Sequence, residues 1–336
     1  VIWHDPEAGL AALVDGPPPV SPGSLALRLL QKLNRLRGHR AAVVVAHAAD
    51  PTLPEVLDIL LREADGPLFF VVRSPPGRLK RNRSVQTLTL QPLSSQDLRR
   101  LLRSLLPLDP DFEIRLVEWS EGNAGLALAK VRQLAESGDL RPSREGWGAA
   151  HLRQLFVPPA VARPLSATLR TIGDTQERWE AIQIAAALGP TVQTDLWDAL
   201  TEVRAEVEAK LTDALILQPV PGGHRWIQPA ARHLITQDRS VRVAHGRIAE
   251  HLRDNGGESR VIGHHFVAAH LYADAHRPLL DAVGQALDRG ERDVAQTLFD
   301  EWSLVLDRLA VSARDPRRLA GKKIAARLYP EDAPRD

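Results

Sequence analysis

Four histidines, His264, His265, His270 and His276, crowd one short stretch of the chain, and such crowding is where a metal-binding reading begins. A helical zinc or iron site draws two ligands from residues four apart on one face and adds a carboxylate. Here His264 and His265 are adjacent, so a helix sends them to different faces, while His270 follows five residues later with Asp274 as the nearest acid. The spacing favours histidines packed between helices or turned to solvent, and no metal ligand is assigned. Nucleophilic catalysis finds no better footing. The chain has no cysteine, which removes thiolate nucleophiles, disulfides and cysteine-based zinc sites. No Gly-x-Ser-x-Gly elbow presents a serine. A phosphate cradle of the form Gly-x-x-x-x-Gly-Lys-Ser/Thr is missing too; Gly9 and Gly16, with Pro17, Pro18 and Pro19, have neither its lysine nor its spacing. His47 and Asp50 close a run of valines, at the strand end where α/β folds place functional groups, and the remnant of an older site explains them better than an active one. The basic stretch 77–83 reads as a solvated surface loop.

Composition narrows the class. A chain of 336 residues with 44% hydrophobic content can bury a large core divided over two or three domains. Lys plus Arg number 43 against 42 Asp plus Glu, so no global field recruits nucleic acid or an anionic membrane. The longest apolar runs, 41–46 and 68–72, are too short to span a bilayer. A cytoplasmic location is expected. The chain opens at Val1 and contains no methionine, so further sequence is expected upstream of it.

The elements that would position these residues follow from periodicity. Residues 41–46, Ala-Ala-Val-Val-Val-Ala, read as a buried strand, and 68–72, Leu-Phe-Phe-Val-Val, as the next. Between them Thr52 and Glu55 form a capping pair for a helix carrying Val56, Leu57, Leu60 and Leu61, ended by Gly66. Ser94 with Asp97 opens a helix whose Leu98, Leu101, Leu102 and Leu105 share one face. From 176 to 235 the expected order is three helices, a hairpin and a helix: Trp179, Ile182, Ala185 and Ala186 stripe the first, Val203, Val207, Leu211 and Leu215 the third. The hairpin turns at Gly222-Gly223, and Pro229 begins the last helix. That order is a winged helix. Beyond 241 come amphipathic helices, one with Leu279, Leu280, Val283 and Leu287 and one with Val294, Leu298, Trp302, Val305 and Leu309, separated by Gly290. Each must bury its apolar face on a neighbour, the logic of a tetratricopeptide-like stack.

Taken in order, these segments resemble the signal-transduction ATPases with numerous domains, the STAND branch of AAA+-like P-loop proteins, in the style of the maltose-regulator and kinase-linked members. Residues 41–50, Ala-Ala-Val-Val-Val-Ala-His-Ala-Ala-Asp, resemble the Walker B strand and what trails it, and 69–75 resemble the sensor strand, ending in Arg73. Residues 90–94 look like the approach to a helical lid, and 120–124, Ser-Glu-Gly-Asn-Ala, like the family's Gly-Asn-Pro turn. The resemblance implies a partial α/β P-loop NTPase-like layer over 1–105, a helical lid over 106–170, a winged helix over 171–240 and helical repeats over 241–330. It marks His47, Asp50, Arg73, Gly122, Asn123 and Gln228 as nucleotide-site remnants.

The departures from the family decide the functional reading. Nucleotide hydrolysis needs a lysine-bearing cradle and acids that hold magnesium. Where the family places its Walker B carboxylates this chain has Val44 and Val45, its winged-helix histidine is Gln228, and its turn proline is Ala124. The expectation is a non-catalytic, STAND-like regulatory module with no cofactor, binding a protein partner through its helical repeats. Two alternatives compete with it. One is an active switch using ATP or ADP with a P-loop upstream; the other is a transcription regulator with DNA on the basic tail 314–323. The winged helix's third helix sets Arg204 and Lys210 against Glu202, Glu206, Glu208 and Asp213, so DNA is not expected there.

Overall fold

A computed structural model describes residue 14 and residues 21–37, 42–47, 53–63, 68–73, 91–149, 155–312 and 314–329. Asp50, Thr52, Gly66, the stretch 77–83 and the glycines and prolines between 9 and 19 lie outside the described residues. The fold is mostly helical with small sheets, and it divides between Leu90 and Gln91 into two compact units.

The first unit holds α1 (Pro22–Arg37), β1 (Ala42–His47), α2 (Leu53–Glu63) and β2 (Leu68–Arg73). Helix α1 buries Leu25, Ala26, Leu29 and Leu33, and α2 buries Val56, Leu57 and Leu60, so each presents one apolar stripe and the two helices pack together. The strands pair in parallel, from Ala42 opposite Leu68 to His47 opposite Arg73. This is the strand–helix–strand order read from the sequence; a full nucleotide-binding layer is not shown.

The second unit opens with α3 (Ser95–Leu105), α4 (Pro110–Ser120) and α5 (Ala124–Glu136). Ser94 starts α3 as expected, its hydroxyl accepting from the Asp97 amide at 3.1 Å. Of the leucine stripe, Leu98 and Leu102 are buried but Leu105 is 61% exposed, because the stripe runs a turn past the surface that covers it. Leu98 and Leu102 join Phe112, Leu116, Ala127 and Leu134 in one core, so α3 packs with the helices that follow it. Strands β3 (Leu140–Pro142) and β4 (Trp147–Ala149) form an antiparallel ribbon that the sequence reading did not include.

Next come α6 (Pro159–Ile172), α7 (Gln176–Ala187), β5 (Thr191–Gln193), α8 (Thr194–Leu200), α9 (Arg204–Asp213), β6 (Leu217–Val220), β7 (Gly223–Trp226) and α10 (Pro229–Thr236). The expected hairpin is the β6–β7 part of a three-stranded sheet ordered β5-β7-β6. Helix α9 stops before Leu215, which takes a positive φ of 57° and ends the expected stripe early. Gly222 provides the turn at φ 75°, whereas Gly223 does something else: a Cβ there would lie 2.1 Å from the Val192 carbonyl oxygen. The close pairing of β5 requires its bare backbone.

Five helices complete the chain: α11 (Val241–Asp254), α12 (Ser259–Ala268), α13 (Tyr272–Asp288), α14 (Arg292–Arg308) and α15 (Pro316–Leu328). Helices α11 to α14 each pack on the next in sequence, and α15 closes the series against α13 and α14. Their shared core includes Phe266, Leu279, Val283, Leu298, Trp302 and Leu306. Replacement of Gly223 by Ala is expected to force β5 off the sheet and cost more than about 2 kcal/mol, read as a lower urea midpoint. Gly222→Ala, with nothing within 4 Å of its Cβ position, should cost only about 1 kcal/mol through its positive φ. Equal effects at the two glycines would contradict the packing argument.

Candidate functional site

The candidate positions reach their places by separate routes. His47 and Arg73 end adjacent parallel strands and are register partners. Asp50 lies outside the described residues. Gly122 and Asn123 sit in the turn between α4 and α5, and Gln228 precedes α10. All three have structural partners. Gly122 is at φ 81°, and a Cβ on it would meet the Leu93 carbonyl oxygen at 2.6 Å; its own carbonyl accepts from the Leu93 amide at 3.0 Å. Asn123 caps α5, its Oδ1 accepting from the Leu126 amide at 3.0 Å. Gln228 donates its carboxamide to the Leu215 carbonyl at 2.9 Å, which ties it to its own hairpin.

What meets the 121–123 turn instead is the middle of α10. Arg232 donates to the Glu121 carboxylate. The next residue, His233, donates Nε2–H to the Trp119 carbonyl at 2.7 Å and stacks on the Trp119 indole, with ring centres 5.3 Å apart and planes 11° from parallel. Because the carbonyl can only accept, the histidine tautomer is set with its proton on Nε2. Burial lowers the His233 pKa, opposed in part by that hydrogen bond, so the ring is neutral near pH 7. Beneath the polar contacts lie Leu126, Val157 and Ala230, and Gln237 donates to the Leu155 carbonyl at 3.2 Å. The junction is a latch between the α4–α5 turn and α10. The residues that build it, Trp119, Arg232 and His233, carried no signal in the sequence reading, since their partners are about a hundred residues distant.

The histidine cluster resolves into dissimilar members. His264 is exposed and 3.9 Å from Glu301; His270, at φ 62°, stacks on Tyr272; His276 bonds the Ala273 carbonyl. His265 is buried, and its Nδ1 lies 2.8 Å from Nδ1 of His245 on the preceding helix. One ring must donate and the other accept, so the two hold opposite tautomers. Among the described residues no three histidines, cysteines or acids are grouped to hold a metal ion.

Burial, reinforced by neighbouring imidazoles, lowers the pKa of His245 from 6.5 to about 4 and of His265 from 6.5 to about 3. No known protein-family profile matches the chain, and no curated protein matches it either.

Two outcomes are expected. Glu121→Ala leaves the Arg232 guanidinium half-buried without its carboxylate and should cost on the order of 1–3 kcal/mol, with faster hydrogen exchange in α10 and α5. For the histidine pair the sign follows from depressed folded-state pKa values: between pH 6.5 and 4 the unfolded chain binds protons that the folded chain does not. Stability should therefore fall as pH drops through that window, by about 1.4 kcal/mol per unit for each imidazole so affected. Urea midpoints of His245→Gln/His265→Asn should depend less on pH than those of the parent chain.

Proposed function

We propose that this chain is a degenerate STAND-like regulatory module that binds protein partners through its C-terminal helical stack and does not turn over nucleotide. The observation that carries this reading is the use of Gly122, Asn123 and Gln228 for backbone contacts and hydrogen bonds of the fold itself. With Val44 and Val45 where magnesium would need carboxylates, those two positions supply no acid for a metal–phosphate group. The order of α7, β5, α8, α9, β6 and β7 fits a winged helix, and α11 to α15 fit a helical-repeat stack whose faces suit a partner peptide.

A protein-facing role also accounts for the charges on α9. Arg204 pairs with Asp198 and Glu208, Glu208 reaches Nε2 of His224 at 2.9 Å, and Lys210 pairs with Glu206 at 3.2 Å. Both cations of that helix are engaged by acids of the same fold, leaving little to meet DNA phosphates. The latch at Glu121 and Arg232 would hold the lid and winged helix in one arrangement rather than let nucleotide state switch them. Among the described residues no helix is long and apolar enough to cross a membrane.

The test is isothermal titration of the purified chain with ATP and ADP, with and without magnesium. The expected result is no saturable heat at nucleotide concentrations up to about 1 mM, weaker than roughly −4 kcal/mol of binding free energy. Micromolar, magnesium-dependent ATP binding, or steady phosphate release, would replace this reading with an active nucleotide switch.

A further inference from the structure

Between helices α14 and α15, beside Trp302, lies a shallow groove of about 210 Å³ lined by Phe299, Trp302, Ser303, Arg318, Lys322 and Ala325. Its depth is set by Gly321: a Cβ there would lie 2.1 Å from the indole Cη2, so α15 rests directly on the aromatic ring. Phe299 stacks on the same indole, ring centres 5.4 Å apart, and extends the apolar floor along α14. The lining residues recur at helical spacing on both walls, 299, 302 and 303 on one and 318, 322 and 325 on the other. The space is smaller than a cofactor pocket of roughly 300–1,000 Å³ and suits a side chain.

The charge on the second wall is of one sign. Helix α15 carries Arg317, Arg318, Lys322, Lys323 and Arg327 and no acid. Three of these are engaged by the fold: Arg317 with Asp315 at 2.8 Å, Arg318 with Asp307, and Arg327 with Asp288 at 2.6 Å. Arg318 is further held by the Val311 carbonyl at 3.0 Å. Lys322 and Lys323 are exposed and make no ion pair among the described residues. Leu319, one turn earlier on the same helix, is 48% exposed.

Resting on the partner-binding reading above, we propose that this groove docks an acidic amphipathic peptide, one apolar side chain seated on Phe299 and Trp302 and a flanking carboxylate on Lys322. The same surface fits a nucleic-acid backbone poorly. A duplex needs an array of free cations, and here three of the five cations of α15 are already paired with Asp315, Asp307 and Asp288, which leaves room for one carboxylate contact rather than a phosphate track. An apolar floor with Lys322 on its wall, exposed and without an ion pair among the described residues, matches a helix-in-groove mode instead.

The probe is a short fluorescein-labelled helical peptide with Leu at i, i+3, i+4 and i+7 and Glu elsewhere, titrated into the intact chain by anisotropy. Two variants accompany it: Lys322→Glu, which reverses a solvent-facing charge, and Ala325→Trp, which fills the groove; circular dichroism checks that both fold. The expected result is saturable binding, weakened about tenfold or more by Lys322→Glu, abolished by Ala325→Trp, and diminished by added salt. The proposal is overturned by absence of binding, by equal binding of a Lys-for-Glu peptide, by variants that bind as the parent does, or by tighter binding of random duplex DNA. A peptide that cross-links to α11–α13 overturns the groove but leaves the partner-binding stack standing. Tight magnesium-dependent ATP binding would sink the non-catalytic reading while leaving the groove result intact.

Discussion

The second unit turns on a left-handed reversal two residues long. Glu121 at φ 50° and Gly122 at φ 81° stop α4 and let Asn123 begin α5 at once. A bulkier residue at 122 would strike the Pro92–Leu93 backbone and side chain, so the same turn anchors the segment leading into α3. The reversal also aims the Glu121 carboxylate at Arg232, more than a hundred residues later. Helix ending, helix capping, chain entry and a long-range ion pair thus meet in three residues, each satisfying polar groups that a buried helix terminus would otherwise leave bare.

That economy has a bearing on chemistry. Polar groups at catalytic sites are left with free hydrogen-bonding capacity or held in strained surroundings. The Gly122 carbonyl, Asn123 Oδ1 and Gln228 Nε2 are tied into their own fold. Two other unusual groups, the His245–His265 pair and the Glu208–His224 contact beside Trp197, join neighbouring elements, and His224 keeps its Nδ1 buried without a hydrogen-bond partner.

Legibility in the sequence followed the range of the interaction responsible. Local periodicity and capping identified β1, α2, β2, α3 and the late helices, because a stripe such as Val294, Leu298, Trp302 and Val305 needs only one face of one helix. Pro229 and the Gly222 turn were visible for the same reason. Strand β5 was not, since three residues ending at Gln193 become a strand only when Gly223 admits them to the sheet. The role of Gln228 depends on the Leu215 carbonyl, whose exposure follows from a positive φ that a leucine rarely signals. Likewise His245 gains meaning only when α11 and α12 bring it to His265. Crowding in sequence pointed to four histidines; proximity in space selected one of them and a fifth.

Helix α11 belongs to two interiors at once. Val241, Ala244 and Ile248 pack into the core around Trp197, while Ala249 packs into the core around Phe266, and Leu252 touches both. Arg247 adds a polar tie to the first of these, donating to the Leu200 carbonyl at 2.7 Å. A rod wedged between two close-packed bodies has no independent swivel: tilting it on one side must open a void on the other, and close-packed interiors resist voids. The boundary drawn at this helix is therefore a splint, and load applied to the far end of the stack is borne as far back as α7.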